Sequence, residues 1–420
     1  MWVRKRLDIG WSDLSFGISR SCVPQDRGAI RGRIEQGWCG SGDALACLSV
    51  RSGFDLLLES LQLPPGSEVL LSALTIGGMV RLVQQHGLVP VPVDIDVPRT
   101  APDLELLRSA ITPRSRAIVV AHLFGGKAEM GPILEAARQH GLLVIEDCAQ
   151  AFAGDAYRGH PEADVSMFSF GPIKTATALG GGVLRIADDT LREKMRRAQA
   201  AWPVQSRRAY LGRLLKYCVL KAFCGPSAFG LLVRVCRVLR RDHDRLINGA
   251  VRGFAGPGFL KRIRRQPSAP LLALIERRLE RFDPGRLATR TAKGELLVQL
   301  LAGRIECPGA RMVGHTHWVF PVLADDPDRL IAALAKAGFD ATRNQSLVVV
   351  TPADDRPWLD PGTARAMLAR TVFVPLYAAM PTKAIRRMAE VILQTSAARP
   401  AGEPCVPVEQ SPNVQAMLPS

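Results

Sequence analysis

Val144-Ile145-Glu146-Asp147-Cys148-Ala149-Gln150 is a short apolar run that ends abruptly on acids. Ser166-Met-Phe-Ser169-Phe-Gly-Pro-Ile-Lys174 follows within 30 residues, and Leu179-Gly180-Gly181-Gly182 comes after it. An acid at the end of a buried strand, with a lysine 27 positions on, suits a parallel sheet whose strand ends open onto a site. Working outward, Glu68–Ser72, Leu88–Asp94, Ala117–Ala121 and Leu142–Ile145 read as strands. Helical stretches at 80–86 and 131–140 separate them, closed by Gly87 and Gly141. Strands alternating with helices of this length imply crossover connections, hence an α/β fold with a largely parallel central sheet.

The remainder divides by composition. Residues 1–44 form an N-terminal segment expected to pack on the smaller unit, and 45–200 the large domain. Residues 201–266 are a basic, amphipathic helical insertion. Residues 267–395 hold a linking helix and a smaller α+β unit, with a helix over 271–282 and strands at 318–323 and 373–375. From 396 to 420 the chain turns to Pro, Ala, Gly and Ser without periodicity and is expected to be disordered.

The 420 residues carry 55 Lys and Arg against 39 Asp and Glu, a net charge of +16. Residues 201–270 hold 15 of the cations and two acids, so +13 of that excess lies in one segment. A charge of this kind points to an anionic partner. Nucleic acid fits poorly, since no zinc finger, aromatic RNA-binding motif or helix-turn-helix is evident. An anionic membrane surface fits residues 205–265 better: Leu211, Leu214, Leu215 and Cys218 alternate with Arg213, Lys216 and Lys221, near Phe223 and Phe229. A solvated insertion, or a phosphorylated substrate, would use the same charge.

Nine scattered cysteines include no C-x-x-C pair, which favours reduced thiols and a cytoplasmic protein, with the basic segment available for peripheral contact with the inner membrane face. The first ten residues lack the apolar stretch of a signal peptide, and no run suggests a spanning helix. His315-Thr316-His317 lacks a third ligand, so no metal site is expected.

Three segments combine into chemistry. Asp147 and Lys174 join Leu48-Ser-Val-Arg-Ser-Gly53-Phe54, read as a glycine turn leading into a helix at Leu56–Leu61. An acid to keep a pyridine nitrogen protonated, a lysine to form a Schiff base and a helix N-terminus for a phosphate are what pyridoxal phosphate requires.

Ile145-Glu-Asp-Cys-Ala-Gln150, Asp164-Val-Ser-Met-Phe-Ser-Phe170 and Lys174 together resemble the DegT-type pyridoxal-phosphate-dependent sugar aminotransferases. Gly87–Asp96, Ala121-His122-Leu-Phe-Gly125 and Val374-Pro-Leu-Tyr377 extend the likeness. It implies the aspartate-aminotransferase fold (fold type I), in which Lys174 carries the cofactor and moves protons. Asp147 would pair with the pyridinium nitrogen and Gln150 would lie against the ring. Ser169, Gly53 and Phe54 would hold the phosphate, with Ile76 over the ring and His122 a weaker candidate for substrate contact. It further implies a homodimer that moves an amino group from Glu or Gln to a ketone or aldehyde on a sugar-like acceptor, nucleotide- or lipid-linked. Three positions depart from the pattern: Phe54 replaces a threonine, Ile76 an aromatic residue, and the glycine loop after Lys174 lacks an acid. They leave two alternatives, a dehydratase or epimerase on the same fold and a non-catalytic, membrane-associated protein.

Overall fold

The computed structural model describes residues 1–4, 7–40, 42–238, 258–344 and 346–397. Its centre is a seven-stranded sheet of β1 (Ala44–Cys47), β2 (Glu68–Ser72), β3 (Val89–Val93), β4 (Ser115–Ala121), β5 (Leu143–Asp147), β6 (Val165–Ser169) and β7 (Gly182–Ile186). The spatial order is β1-β7-β6-β5-β4-β2-β3, and β7 alone runs against its neighbours.

Side-chain alternation sorts the sheet into two buried faces. Val69, Leu71, Val119, Ile145, Met167 and Leu184 join one core, and Leu70, Ile118, Val120 and Val144 the other. This parity sends Asp147 to the face of Ile145 and Glu146 to the face of Val144, so the adjacent acids serve different layers. Helix α3 (Val50–Leu61) packs on the first face through Phe54, Leu56 and Leu57. Asp55, fully buried on α3, binds Arg264 at 2.8 Å and His86 at 2.9 Å, tying the exit of the basic segment to the large unit.

The N-terminal segment divides its contacts, which corrects the expectation for 1–44. Trp2 bridges to Phe339 and Arg4 pairs with Asp340 at 2.5 Å, so the first residues touch the small unit. Helices α1 (Trp11–Cys22) and α2 (Arg27–Cys39) instead bury Leu14, Ile34 and Trp38 against the large unit. The apolar side of each helix faces the core beneath the linking helix, where far more apolar surface is available.

The basic segment opens with α4 (Arg207–Ala222) and α5 (Pro226–Val238), bent by 85° at the break between them. The linking helix α6 (Ala269–Glu280) follows, then α7 (Pro284–Leu301). The small unit is an antiparallel sheet, β8 (Phe320–Leu323), β9 (Thr342–Arg343) and β10 (Thr371–Val374), ordered β8-β10-β9. It packs on α7 and α8 (Thr382–Ala397). The tail expected from 396 lies outside the described residues apart from Ser396 and Ala397, which end α8.

Candidate active site

Asp147 and Ser169 stand where two neighbouring strands stop. β5 ends on Asp147, whose Oδ1 accepts the Ala149 amide at 3.0 Å. In the turn beyond it, Gln150 Oε1 accepts the Phe124 amide at 2.9 Å. β6, the next strand over, ends on Ser169, whose hydroxyl accepts the Gly171 amide at 3.3 Å. A tight turn, with the Lys174 amide donating to Gly171 O at 3.0 Å, then brings the lysine back over the strand ends.

Lys174 and Asp147 share one buried environment. Burial lowers the Lys174 ammonium to about 8; Asp147 opposes the shift and Arg51 adds to it. Burial likewise pushes the Asp147 carboxyl up, with the Ala149 amide, Lys174 and Arg51 among the groups holding it back. Trp318, from the small unit, lies with its ring centroid 4.0 Å from Lys174 Nζ, and its indole N–H donates to Ile173 O at 2.9 Å. The aromatic face stabilises the charged form while the ring excludes water from one side of the amine.

The phosphate turn differs from the sequence expectation. α3 begins at Val50, not near Leu56, with Ser49 as its N-cap accepting the Ser52 amide at 3.1 Å. Ser49, Val50 and Arg51 therefore line the cavity. Gly53 and Phe54 do not: Gly53 sits within the helix against Leu184, and Phe54 is fully buried in the core. Gly53 is small because Leu184 leaves no room for a side chain, not because a turn needs it. Ile76 does line the cavity, beside Asp147, Gln150, Ser169 and Lys174.

His122 is also placed elsewhere. It is fully buried on the opposite face, where Nε2 meets Glu146 Oε1 at 2.9 Å and Nδ1 accepts the Ala128 amide at 3.0 Å. Both ring nitrogens are engaged, so His122 braces the structure and does not contact a ligand in the cavity. Glu146 also accepts from Ser166 at 2.5 Å, from the His160 amide at 2.8 Å and from Tyr157. Burial raises its carboxyl, but these donors and His122 outweigh it and bring it to about 2.

The cavity has a volume of about 560 Å³ and is lined by ten Lys or Arg residues against three Asp. Reading motifs missed much of this lining. Arg278 and Arg286 come from α6 and α7 and pair with Asp8, Arg286 at 2.8 Å and Arg278 at 3.9 Å. Arg290 donates to Thr316 O at 2.7 Å. Arg213, Lys216 and Tyr217 come from α4, the insertion itself. Arg213 donates to Leu179 O at 3.0 Å and Tyr210 to Ala178 O at 2.7 Å, which docks α4 on the glycine loop after Lys174. The only sequence signal for this was charge, which does not say which face of a helix turns inward.

A largely parallel sheet with a lysine, a carboxylate and a helix N-terminus converging at its strand ends is the arrangement of the fold type I α/β proteins. Residues 36–217, the stretch that carries Asp147, Gln150, Ser169 and Lys174, match the DegT/DnrJ/EryC1/StrS aminotransferase family. The chain is 42% identical over 163 residues to GDP-perosamine synthase of Caulobacter vibrioides, covering 38% of this chain and 43% of that protein. It is 37% identical over 172 residues to a UDP-N-acetyl-3-dehydro-alpha-D-glucosamine 3-aminotransferase of Acidithiobacillus ferrooxidans, covering 40% and 46%. These alignments thus span less than half the length of either relative. The aminotransferase TlmJ from Streptoalloteichus hindustanus superimposes with a TM-score of 0.68 at 20% identity, covering 95% of this chain and all of that one. That likeness establishes the fold.

Proposed function

We propose that the protein is a pyridoxal-phosphate-dependent aminotransferase acting on a keto sugar carried on a nucleoside diphosphate, like those named for its relatives. The observation that carries this reading is the opening of Lys174 and Asp147, from two neighbouring strand ends, into one cationic cavity. The residues present fit the cofactor. Lys174 would carry it, Asp147 would face its ring nitrogen, and Gln150 and Ile76, which line the same cavity, would flank the ring. The start of α3 at Ser49–Arg51, with Ser169, supplies amides, a hydroxyl and a cation for a phosphate. Bound there, pyridoxal phosphate supplies an electron-accepting ring that delocalises charge left on an amino-bearing carbon.

The chain's own residues do the rest. An amine with a pKa of about 8 exchanges a proton near neutral pH, so Lys174 can take a proton from one carbon and return it to another. Asp147 would face the ring nitrogen and favour its protonated form. Trp318 shields the lysine from water, and Arg213, Arg278 and Arg290 offer positive charge to an anionic acceptor or donor carboxylate. The donor is Glu or Gln, and the working unit a homodimer, on the family resemblance. The test is the first half-reaction. Cofactor-loaded protein should convert glutamate to one equivalent of 2-oxoglutarate per site, and Lys174→Ala should yield none. A Lys174→Ala protein that still does so overturns the reading.

A further inference from the structure

Helices α4 and α5 each have two apolar faces, one turned into the protein and one turned out. Inward, Tyr210, Leu214 and Tyr217 of α4 are buried under the linking helix, while Phe229 and Val233 of α5 pack on Val3. Outward, Leu215 and Val219 of α4 and Phe223, which caps its C-terminus, recur every four residues and are 51%, 60% and 41% exposed. Leu231 and Val235 repeat that spacing on α5 at 63% and 46%. Five of the twelve large apolar side chains exposed among the described residues thus fall within 21 positions. A concentration of this kind marks an interaction surface.

We propose that the outward face of α4 and α5 docks on an anionic lipid bilayer, lying in its headgroup region. Charge selects this occupant. Arg208 and Arg234 stand exposed beside the stripe, and the sequence has no Asp or Glu from Lys194 to Arg241. Two copies of such a face repel each other, whereas acidic headgroups complement it. Helix length and the bend select the mode: among the described residues no single helix is long and apolar enough to cross a membrane, and α4 and α5, which together have the length and composition for it, are bent by 85° at their break. Alone, α4 at 16 residues is about 24 Å long against a core of about 30 Å. Apolar side chains flanked by Arg and Lys suit a helix lying in the interface. Leu215 belongs to the outward stripe while Lys216, next to it, lines the cavity, so one helix connects the surface to the site.

The experiment is co-sedimentation of the full-length protein with vesicles of phosphatidylglycerol and phosphatidylcholine, or of phosphatidylcholine alone, with sedimentation velocity run alongside. Binding is expected to the anionic vesicles only and to weaken with salt. Val219→Glu combined with Leu231→Glu, both at exposed positions, should lower it at least about tenfold with the circular dichroism spectrum unchanged. Absence of binding to anionic vesicles, or equal binding by the double variant, overturns the proposal. A double variant whose oligomeric state changes, with no vesicle binding by the parent, overturns it in favour of a second copy of this chain.

Discussion

Gly53→Ala separates a packing glycine from a phosphate-binding one. An ideal Cβ at Gly53 lies 2.5 and 2.7 Å from the two methyl carbons of Leu184 and 3.2 Å from its Cγ. Carbon atoms settle at about 3.5–4.0 Å, so Leu184 must retreat by about 1 Å. The close Cγ means that a rotamer change alone does not clear the space. Leu184 is fully buried in the middle of β7, paired to Leu45 and Met167, so the strand has little freedom to move. Overpacking of this kind costs about 1–3 kcal/mol. Replacing a helix-interior glycine with alanine returns about 1 kcal/mol. The expected net effect is a destabilisation of about 1 kcal/mol, opposite in sign to the same change at an uncrowded helix position. In a Leu184→Ala background, itself destabilised by about 2–5 kcal/mol, the added methyl group should stabilise. Urea unfolding followed by tryptophan fluorescence measures the four proteins, and a cofactor titration of each should give the same affinity. Stabilisation by Gly53→Ala in the parent would refute the packing argument. So would a large loss of cofactor affinity at unchanged stability, which would return Gly53 to the phosphate.

Asp147 raises the Lys174 pKa and Arg51 lowers it, so Asp147→Asn should move the neutral amine to lower pH and Arg51→Met to higher pH. Rates of cofactor capture by the apoprotein across pH 6–10 (a span of roughly two units on either side of about 8) report both shifts, and equal profiles would remove the charge coupling. Glu146 is held near 2 in the folded chain, so its contribution to stability is present above its ordinary value of 4.5 and lost as pH falls from there towards 2. Glu146→Gln should lower stability at neutral pH and flatten the stability curve in that window, as read by urea midpoints. An unchanged acid limb would assign the loss to other groups.

Much of the sheet and half of the site lie in local sequence. Strands buried on both faces read as continuous apolar runs, and an acid or serine that ends such a run must sit at the strand's end. Asp147 and Lys174 are legible from the residues themselves, Gln150 and Ser169 only from the family resemblance, and all four line the cavity. The start of α3 was not legible, because the glycine of Ser52-Gly53 looked like a turn. Its reason for being small is Leu184, 131 residues away. His122 was ambiguous in the same way, since Glu146 and the Ala128 amide engage it only once the strands pair.

Sequence by itself determined which elements form, the order in which they alternate and the chemistry placed at their ends, because each depends on neighbours a few residues apart. Tertiary structure decided which side of each element meets the site. It put Trp318 on Lys174, turned Arg213 and Tyr217 of α4 into the cavity, and left Leu215, Val219 and Phe223 facing out. On a helix where apolar and basic residues are spread around the circumference, the burial available from distant partners chooses the inward face, and no local pattern encodes those partners.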